Sequence, residues 1–304
     1  MKRLLLISVA LMAAGCTIDR RGINDPDVAL EFQPAMYMHV AQEGVERYPQ
    51  GQPFGVCSWM LPDGADWKES SSESQEYLRE QEVSMSGQNV WSCPGTPLWP
   101  SKEWDLTFIA YSPYISAGGC TREQGVIYQL DDFRNDQTDF LYTSALENLD
   151  KTESGGVVTV PFRHALSQIE FRVKNTVSTD EVLTVRKISI DKIVAGGEFE
   201  SLREPQWVTE GEPVELVFFE GSFVTGGLPE YIGRDWLVIP QTLDARVVVE
   251  YDFTDRYGKT VERKAETRAL NLKLKPGSRY SLTLSIGMND VKFLKEIIEN
   301  RFNK

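Results

Sequence analysis

Residues 160–173 read V-P-F-R-H-A-L-S-Q-I-E-F-R-V, and the second half of this stretch decides the fold. Its apolar side chains are Ile169, Phe171 and Val173, and the polar ones that alternate with them are Gln168, Glu170, Arg172 and Lys174. Because successive side chains of a strand point to opposite faces, this alternation predicts a strand with one apolar and one charged face. Half-buried strands of this kind are typical of antiparallel sheets.

The same period of two recurs through the second half of the chain, at residues 246–254, 270–274 and 280–286. Turn sequences separate these runs, D-R-Y-G at 255–258 and P-G at 276–277. Many short strands between such turns predict an all-β fold of antiparallel β-sandwiches.

The first half is less regular. Residues 28–40, 54–61 and 106–111 predict strands, while a serine-rich loop at 63–79 runs into a stretch at 73–82 that is compatible with a helix. A polar segment at 148–156, which ends in Gly-Gly, marks a domain boundary.

Five segments follow from these patterns. We predict a signal peptide at 1–15, a tether at 16–27, an N-terminal sandwich at 28–152, a C-terminal sandwich at 153–290 and a tail at 291–304. In the tail, the apolar residues recur every three or four positions, at Val291, Leu294, Ile298 and Phe302. This spacing predicts a short helix.

The start of the chain predicts export and a lipid anchor. A positive start, Met1-Lys2-Arg3, precedes an apolar run at 4–14 that is too short to span a bilayer, and Ala-Ala-Gly precedes Cys16. This ending resembles a bacterial lipobox, which implies cleavage before Cys16 and acylation of that residue. A plain signal peptide with a chance cysteine is the alternative. Acyl chains on one residue give stable anchoring to a membrane.

Composition argues against a nucleic-acid partner and allows one disulfide whose pairing is undetermined. The formal net charge of the 304-residue chain is −13, and an acidic surface repels phosphate backbones, so we expect no nucleic-acid partner. Beyond Cys16 the chain has Cys57, Cys93 and Cys120. Three thiols permit one disulfide in an exported protein, and the sequence does not choose the pair. We expect the remaining thiol to be buried.

Four short segments together resemble the fimbrillin family of Bacteroidetes. They are T-D-F-L-Y at 138–142, the opening stretch at 160–173, W-L-V-I-P-Q at 236–241 and P-G-S-R-Y-S-L-T-L-S-I-G at 276–287. The resemblance covers residues 138–287 well and the first half loosely. It implies two transthyretin-like β-sandwich domains in a surface lipoprotein of the outer membrane, which acts as a stalk, tip or anchor subunit of a fimbria.

The resemblance also implies a mode of assembly. In pilin-type members a protease specific for Arg or Lys cuts after the first strand, and a strand from the next subunit fills the groove that is left. Strand addition satisfies both the open backbone edge and the apolar trench. In this sequence Arg47 is the candidate cleavage site, in a loop rich in Gly and Pro that favours exposure. A surface arginine without this role is the alternative. Because donor segments of the family are extended, a helical tail argues against a polymerising role.

No motif of an enzyme or a cofactor site is found, so we predict neither. The two histidines are His39, which has no companion at ligand spacing, and His164, which we expect to be structural. The pairs Asp131-Asp132 and Asp252/Asp255 lack the spacing of a calcium loop and are better explained as solvated turns.

The alternative function is a surface lipoprotein that binds glycans and does not polymerise, because sugar rings stack on exposed tryptophans. The seven tryptophans are Trp59, Trp67, Trp91, Trp99, Trp104, Trp207 and Trp236. We expect Trp236 to lie in a core, and Trp91, Trp99 and Trp104, which lie near prolines, to be the better candidates for exposure. Packing in a core or an interface is favoured for the group as a whole. The predicted partners are thus other fimbrial subunits, the outer membrane through the lipid anchor, and a host protein or glycan.

Overall fold

The computed structural model describes residues 27–37, 47–115, 119–202 and 204–299. The strands of the first half are β1 (Glu31–Met36), β2 (Phe54–Pro62), β3 (Gln75–Met85), β4 (Trp91–Ser92), β5 (Trp104–Ser112), β6 (Gly119–Thr121), β7 (Gly125–Leu130), β8 (Leu141–Tyr142) and β9 (Leu146–Leu149). A 3-10 turn covers Ser71–Glu73, and the single-turn helix α1 covers Lys151–Ser154.

The second half continues with strands alone. They are β10 (Val157–His164), β11 (Ser167–Asn175), β12 (Val182–Ile193), β13 (Gly196–Glu200), β14 (Gln206–Glu210), β15 (Val214–Val224), β16 (Glu230–Val238), β17 (Thr242–Leu243), β18 (Val247–Thr254), β19 (Thr260–Glu266), β20 (Leu272–Lys273), β21 (Arg279–Ile286) and β22 (Val291–Glu299). The predicted all-β class is confirmed. Within the described ranges, no helix has the length and apolar character needed to cross a membrane.

The first half is built around a sheet that closes on itself. Its strand order is β2-β3-β4-β1-β10-β8-β5-β9, and β2 also pairs with β5. Seven strands therefore form a ring, which we call the N-terminal ring. Apolar side chains from every side fill it, among them Leu30, Phe32, Phe54, Val56, Phe108 and Phe162, all of which are buried.

The second half is a sandwich of two four-stranded sheets, β16-β11-β21-β22 and β15-β12-β18-β19, which we call the C-terminal sandwich. The alternation at 169–173 gives β11 an apolar face that lies between the two sheets, and its side chains Ile169, Phe171 and Val173 are all fully buried. The Phe171 ring meets Phe218 edge to face, with centroids 4.6 Å apart. Burial of this apolar face is what holds the two sheets together.

The polar face of the same strand is not simply solvated. Glu170 is buried and forms an ion pair with Arg279 of β21, which runs parallel to β11. The Nε atom of Arg172 lies 3.7 Å from Glu170 as well. A buried carboxylate needs such partners, since an unpaired buried charge is costly.

A third sheet joins the two halves. Its order is β14-β13-β7-β6, so that β7 from the first half pairs with β13 from the second. Within this sheet, β13 and β14 approach so closely at Gly197 that a Cβ atom there would lie 2.5 Å from the carbonyl oxygen of Val208. Strand β10 also crosses the predicted boundary at 152/153, because it pairs with β1 and β8 of the N-terminal ring. The division at 152/153 stays a prediction, and this pairing favours a boundary after His164.

Two expectations of helix are wrong. Residues 75–85 form β3, which pairs with β2, and the tail forms β22, which pairs with β21 from Val291 to Glu299. In β22 the register shifts so that Leu294 is an extra residue between the pairs Phe293–Leu284 and Lys295–Thr283. This bulge interrupts the period of two, which is why the apolar spacing of the tail imitates a helix.

The cysteines form one disulfide and leave one buried thiol, as expected. Cys57 and Cys120 form the disulfide, which ties β2 of the ring to β6 of the joining sheet. Cys93 is free and buried, and burial raises the pKa of its thiol to about 12. A thiol of this kind is an inert core residue rather than a reactive one.

We expect the double variant Cys57→Ala/Cys120→Ala to lose about 4 kcal/mol of unfolding free energy, because the bridge closes a loop of 63 residues. Urea denaturation measures it. Cys93→Ala is the matched control, since it keeps the disulfide and removes one buried sulfur at a cost of about 1 kcal/mol. Equal losses in the two variants would show that the bridge does not stabilise the fold.

Candidate functional site

The candidate site is the groove in the N-terminal ring that β1 occupies. Along one side, β1 pairs in parallel with β10 over six residues, from Glu31 opposite Val157 to Met36 opposite Phe162. On its other side the ladder is confined to one pair, Phe32 opposite Trp91 of β4. β1 is therefore bound mainly through the backbone of one neighbour.

Aromatic side chains form the floor of this groove. The Phe32 ring meets Phe54 and Phe108 edge to face, with centroids 6.0 and 5.9 Å away. Trp99 packs on Phe108 and donates from its indole Nε1 to the carbonyl of Gly156, 3.0 Å away. Without Phe32 these rings would border an open apolar trench.

Backbone bonds fix both ends of β1. At the start, the amide of Leu30 donates to the carbonyl of Pro97 at 2.8 Å, and the Val28 carbonyl accepts from Trp99. At the end, the amide of Tyr37 donates to Phe162 at 2.6 Å. The guanidinium of Arg163 lies 3.7 Å from the centre of the Tyr37 ring.

Arg47, the candidate cleavage site, is exposed at the point where the described chain resumes after β1. Its neighbour Tyr48 is buried, stacks on Phe162 with centroids 5.0 Å apart, and its hydroxyl lies 2.7 Å from Ser112 Oγ. Tyr48 is not among the residues that the sequence predicts to be functional. Burial raises its pKa to about 12, although the bond to Ser112 opposes this. A protease would thus meet an exposed arginine whose C-terminal side is anchored to the ring.

Strand β22 lies at the edge of the C-terminal sandwich, bonded only to β21 among the described strands. A cavity of about 320 Å³ adjoins it, lined by Leu270, Leu272, Leu282 and Phe293 among others. Loss of β22 would therefore break fewer contacts than loss of a fully packed strand, because the walls of a cavity lack partner atoms.

The other residues that the sequence singled out lie away from the groove or outside the described residues. Cys16 and His39 lie outside the described residues. His164 is buried and its Nδ1 lies 3.0 Å from Asp139 Oδ1, as expected of a structural histidine. Asp132 is paired with Arg134, which lowers the pKa of its carboxyl, and Asp255 caps its own turn by accepting from the amides of Tyr257 and Lys259.

The tryptophans give little support to a sugar platform. Trp59, Trp67, Trp99 and Trp236 are buried, and the other three are half-buried. The expectation that Trp99 is exposed is wrong, because its side chain is buried in the core of the N-terminal ring and meets Phe108 edge to face. Trp91 and Trp104 are half-buried. Among the described residues, no three His, Cys, Asp or Glu side chains come together as a metal site.

Comparison with known proteins decides the family. A family model described as fimbrillin-like matches residues 49–300, which is most of the chain. The chain belongs to the fimbrillin-like family. The resemblance drawn from four short segments is thereby confirmed. The family is one of fimbrial subunits and not of enzymes.

Individual relatives of the fimbrillin-like chain are distant. The fimbrium subunit Fim1C of Phocaeicola vulgatus is 22% identical over 214 residues, which cover 62% of this chain and 56% of that subunit. The match thus spans little more than half of the relative's length.

Solved structures share the fold. A fimbrial protein from Bacteroides vulgatus superposes with a TM-score of 0.69 at 14% identity, over 90% of this chain and 99% of that one. A protein from Bacteroides uniformis that is assigned to cell adhesion superposes with a TM-score of 0.55 at 20% identity, over 90% of this chain and 97% of that one.

We expect Phe32→Ala to lower the free energy of unfolding of the fimbrillin-like chain by about 3–5 kcal/mol, because it empties the place between Phe54 and Phe108. Urea denaturation of the uncut protein measures this. Gln33→Ala is the matched control, since Gln33 is exposed on the same strand and should change stability by less than about 0.5 kcal/mol. Similar values for the two variants would mean that β1 is not part of the core.

Alkaline pH should weaken the anchor behind Arg47. Tyr48 is neutral in the fold and has a raised pKa, so its contribution is complete below about pH 10 and is lost as pH rises toward 12. Between pH 8 and 11, wild type should lose about 1 kcal/mol more unfolding free energy than Tyr48→Phe. Other buried tyrosines titrate in both proteins and cancel. The control Tyr257→Phe, at an exposed position, should behave as wild type. Equal losses in wild type and Tyr48→Phe would contradict the assignment.

Proposed function

We propose that the fimbrillin-like chain is a subunit of a cell-surface fimbria that assembles by strand exchange after proteolysis. The observation that carries this proposal is that β1, a strand of the N-terminal ring that pairs over six residues with β10 and over one with β4, is followed by the exposed Arg47 and then by the anchored Tyr48. A cut after Arg47 separates β1 from the rest of the ring covalently and leaves it held by non-covalent contacts alone.

Departure of β1 creates an acceptor. The outward-facing backbone groups of β10 from Val157 to Phe162 lose their partners, and the rings of Phe54 and Phe108 become exposed. Unpaired backbone groups beside an apolar trench bind an extended segment strongly, because one strand satisfies both. The acceptor is thus suited to an extended segment that carries two apolar side chains two positions apart, as Leu30 and Phe32 are.

Strand β22 supports the other half of the exchange. It is extended, lies at a sheet edge and borders a cavity, so the objection raised by a helical tail no longer holds. Its Val291 and Phe293 have the same spacing as Leu30, which directly precedes β1, and Phe32 in β1. We assign β22 as the donor, with Phe293 taking the place of Phe32 in the groove of the next subunit.

The lipid anchor and surface location complete the proposal. Acylation at Cys16 would hold the uncut precursor at the outer membrane, and the cut would free the subunit because Cys16 lies on the β1 side of Arg47. In this role the chain performs no catalysis and needs no cofactor. Its partners are other fimbrial subunits, and contact with a host protein or glycan would be made by the assembled fibre.

The test uses mature protein without lipid and a trace of protease specific for arginine. Wild type should give one main cut after Arg47 by intact mass, followed by a ladder of SDS-resistant multimers on a gel of unboiled samples. Arg47→Ala should give neither product. Arg246→Ala is the matched control, because its exposed ion pair with Glu266 contributes little, and it should behave as wild type.

A second variant separates cutting from exchange. A chain that ends at residue 290 lacks the donor, so it should be cut after Arg47 and should form no ladder. A ladder from this truncated chain would exclude β22 as the donor. Cleavage of wild type without any multimers would instead favour the glycan-binding alternative or an anchoring subunit.

A further inference from the structure

Four loops meet at one end of the C-terminal sandwich, which we call its far end. They are residues 176–181, 225–229, 255–259 and 287–290. The amide of Thr176 donates to the carbonyl of Ile286 at 3.0 Å, and the hydroxyl of Tyr251 donates to Met288 at 3.3 Å. Two of the four loops are thus bonded to the ends of the strands beneath them.

Exposed apolar side chains are concentrated at the far end. It carries five of the ten large apolar side chains that are exposed in the described part of the chain: Val182, Val224, Leu228, Tyr257 and Met288. Leu228 is 77% exposed and Tyr257 88% exposed. A cluster of this kind on a folded surface marks an interaction site more often than scattered single residues do.

The donor strand leaves the sandwich at this same end. β21 ends at Ile286 and β22 begins at Val291, so only residues 287–290 connect the sandwich to a donor that has moved out. A fully extended chain spans about 3.3–3.6 Å per residue, which gives about 17 Å from Ile286 to Val291. A donor on so short a connection can reach only a subunit that lies against the far end.

The polarity of the groove identifies the facing surface. β1 runs parallel to β10 and enters at the end where Leu30 bonds to Pro97, which we call the groove mouth. A donor that replaces β1 in the same direction, with Phe293 at the place of Phe32, puts Val291 at the place of Leu30. Leu98, which is an exposed apolar side chain, lies beside this mouth.

We propose that the far end of the C-terminal sandwich is a docking surface for the groove mouth of a second copy of this chain. The inference rests on the proposed strand exchange and adds a contact outside the groove. Leu228 and Tyr257 would be covered by the neighbouring ring around Leu98 when the donor seats. The contact joins two different surfaces, so it repeats along a fibre without closing.

The test compares ladder formation in cut protein. Leu228→Asp/Tyr257→Ser should slow the appearance of multimers about tenfold or more, because it removes two apolar anchors and adds a charge. Both positions are exposed, so the variant should fold and be cut as wild type is. Val208→Asp is the matched control: Val208 is 59% exposed but lies on β14, away from the far end, and its ladder should form at the wild-type rate.

A peptide that reports on the groove distinguishes loss of the docking surface from loss of strand exchange. A synthetic peptide of residues 288–299 should bind the cut double variant as tightly as it binds cut wild type, because the groove is unchanged. Wild-type ladders with an equal rate in the double variant would overturn the docking surface and leave strand exchange intact. Absence of a ladder from wild type would overturn the proposed function itself. A parallel slowing in Val208→Asp would assign the effect to surface charge and overturn the far-end contact.

Discussion

The backbone pairing between β1 and β10 is the constraint on which the rest of the structure depends. Strand β10 lies inside the N-terminal ring, where its amide and carbonyl groups must find partners on both sides. β8 supplies a short pairing on one side, and β1 supplies all six pairs on the other. Phe32 fills the aromatic floor at the same time. The ring is closed only while an extended segment occupies this one place.

Two edge strands of the C-terminal sandwich, β19 and β22, differ in a way that favours β22 as the proposed donor. β19 is an edge whose residues alternate between exposed and half-buried and carry charges of both signs, a composition that discourages pairing with other chains. β22 instead covers β21, bulges at Leu294 and borders a cavity. Its position is compatible with a reversible role. In the proposed exchange, the chain would combine a ring that lacks one strand after the cut with an open sheet edge, β22, that supplies a strand to the next subunit.

The sequence predicts the features that depend on neighbouring residues and not those that depend on residues far away in the chain. The strands at 169–173, 247–254 and 280–286 follow from period-two alternation, and the family follows from four short segments. The tail could not be predicted, because its bulge is imposed by pairing with β21. The burial of Glu170 depends on Arg279, and the choice of Cys120 as the partner of Cys57 depends on the joining sheet. Tyr48 carried no local signal either, since its partner Ser112 is 64 residues away.

The order of the strands also determines how a fibre would carry tension. β10, which would hold the neighbour's donor, continues through Ala165 and Leu166 directly into β11. β11 pairs in parallel with β21 over eight residues, and β21 leads into the subunit's own donor. Tension between neighbours would therefore pass along one continuous stretch of backbone and one long ladder. When force acts parallel to the strands, all hydrogen bonds of the ladder resist it together. When force separates the strands from one end, the bonds break one after another. The pairing between β7 and β13, together with the Cys57–Cys120 disulfide, keeps the two halves from turning about this route.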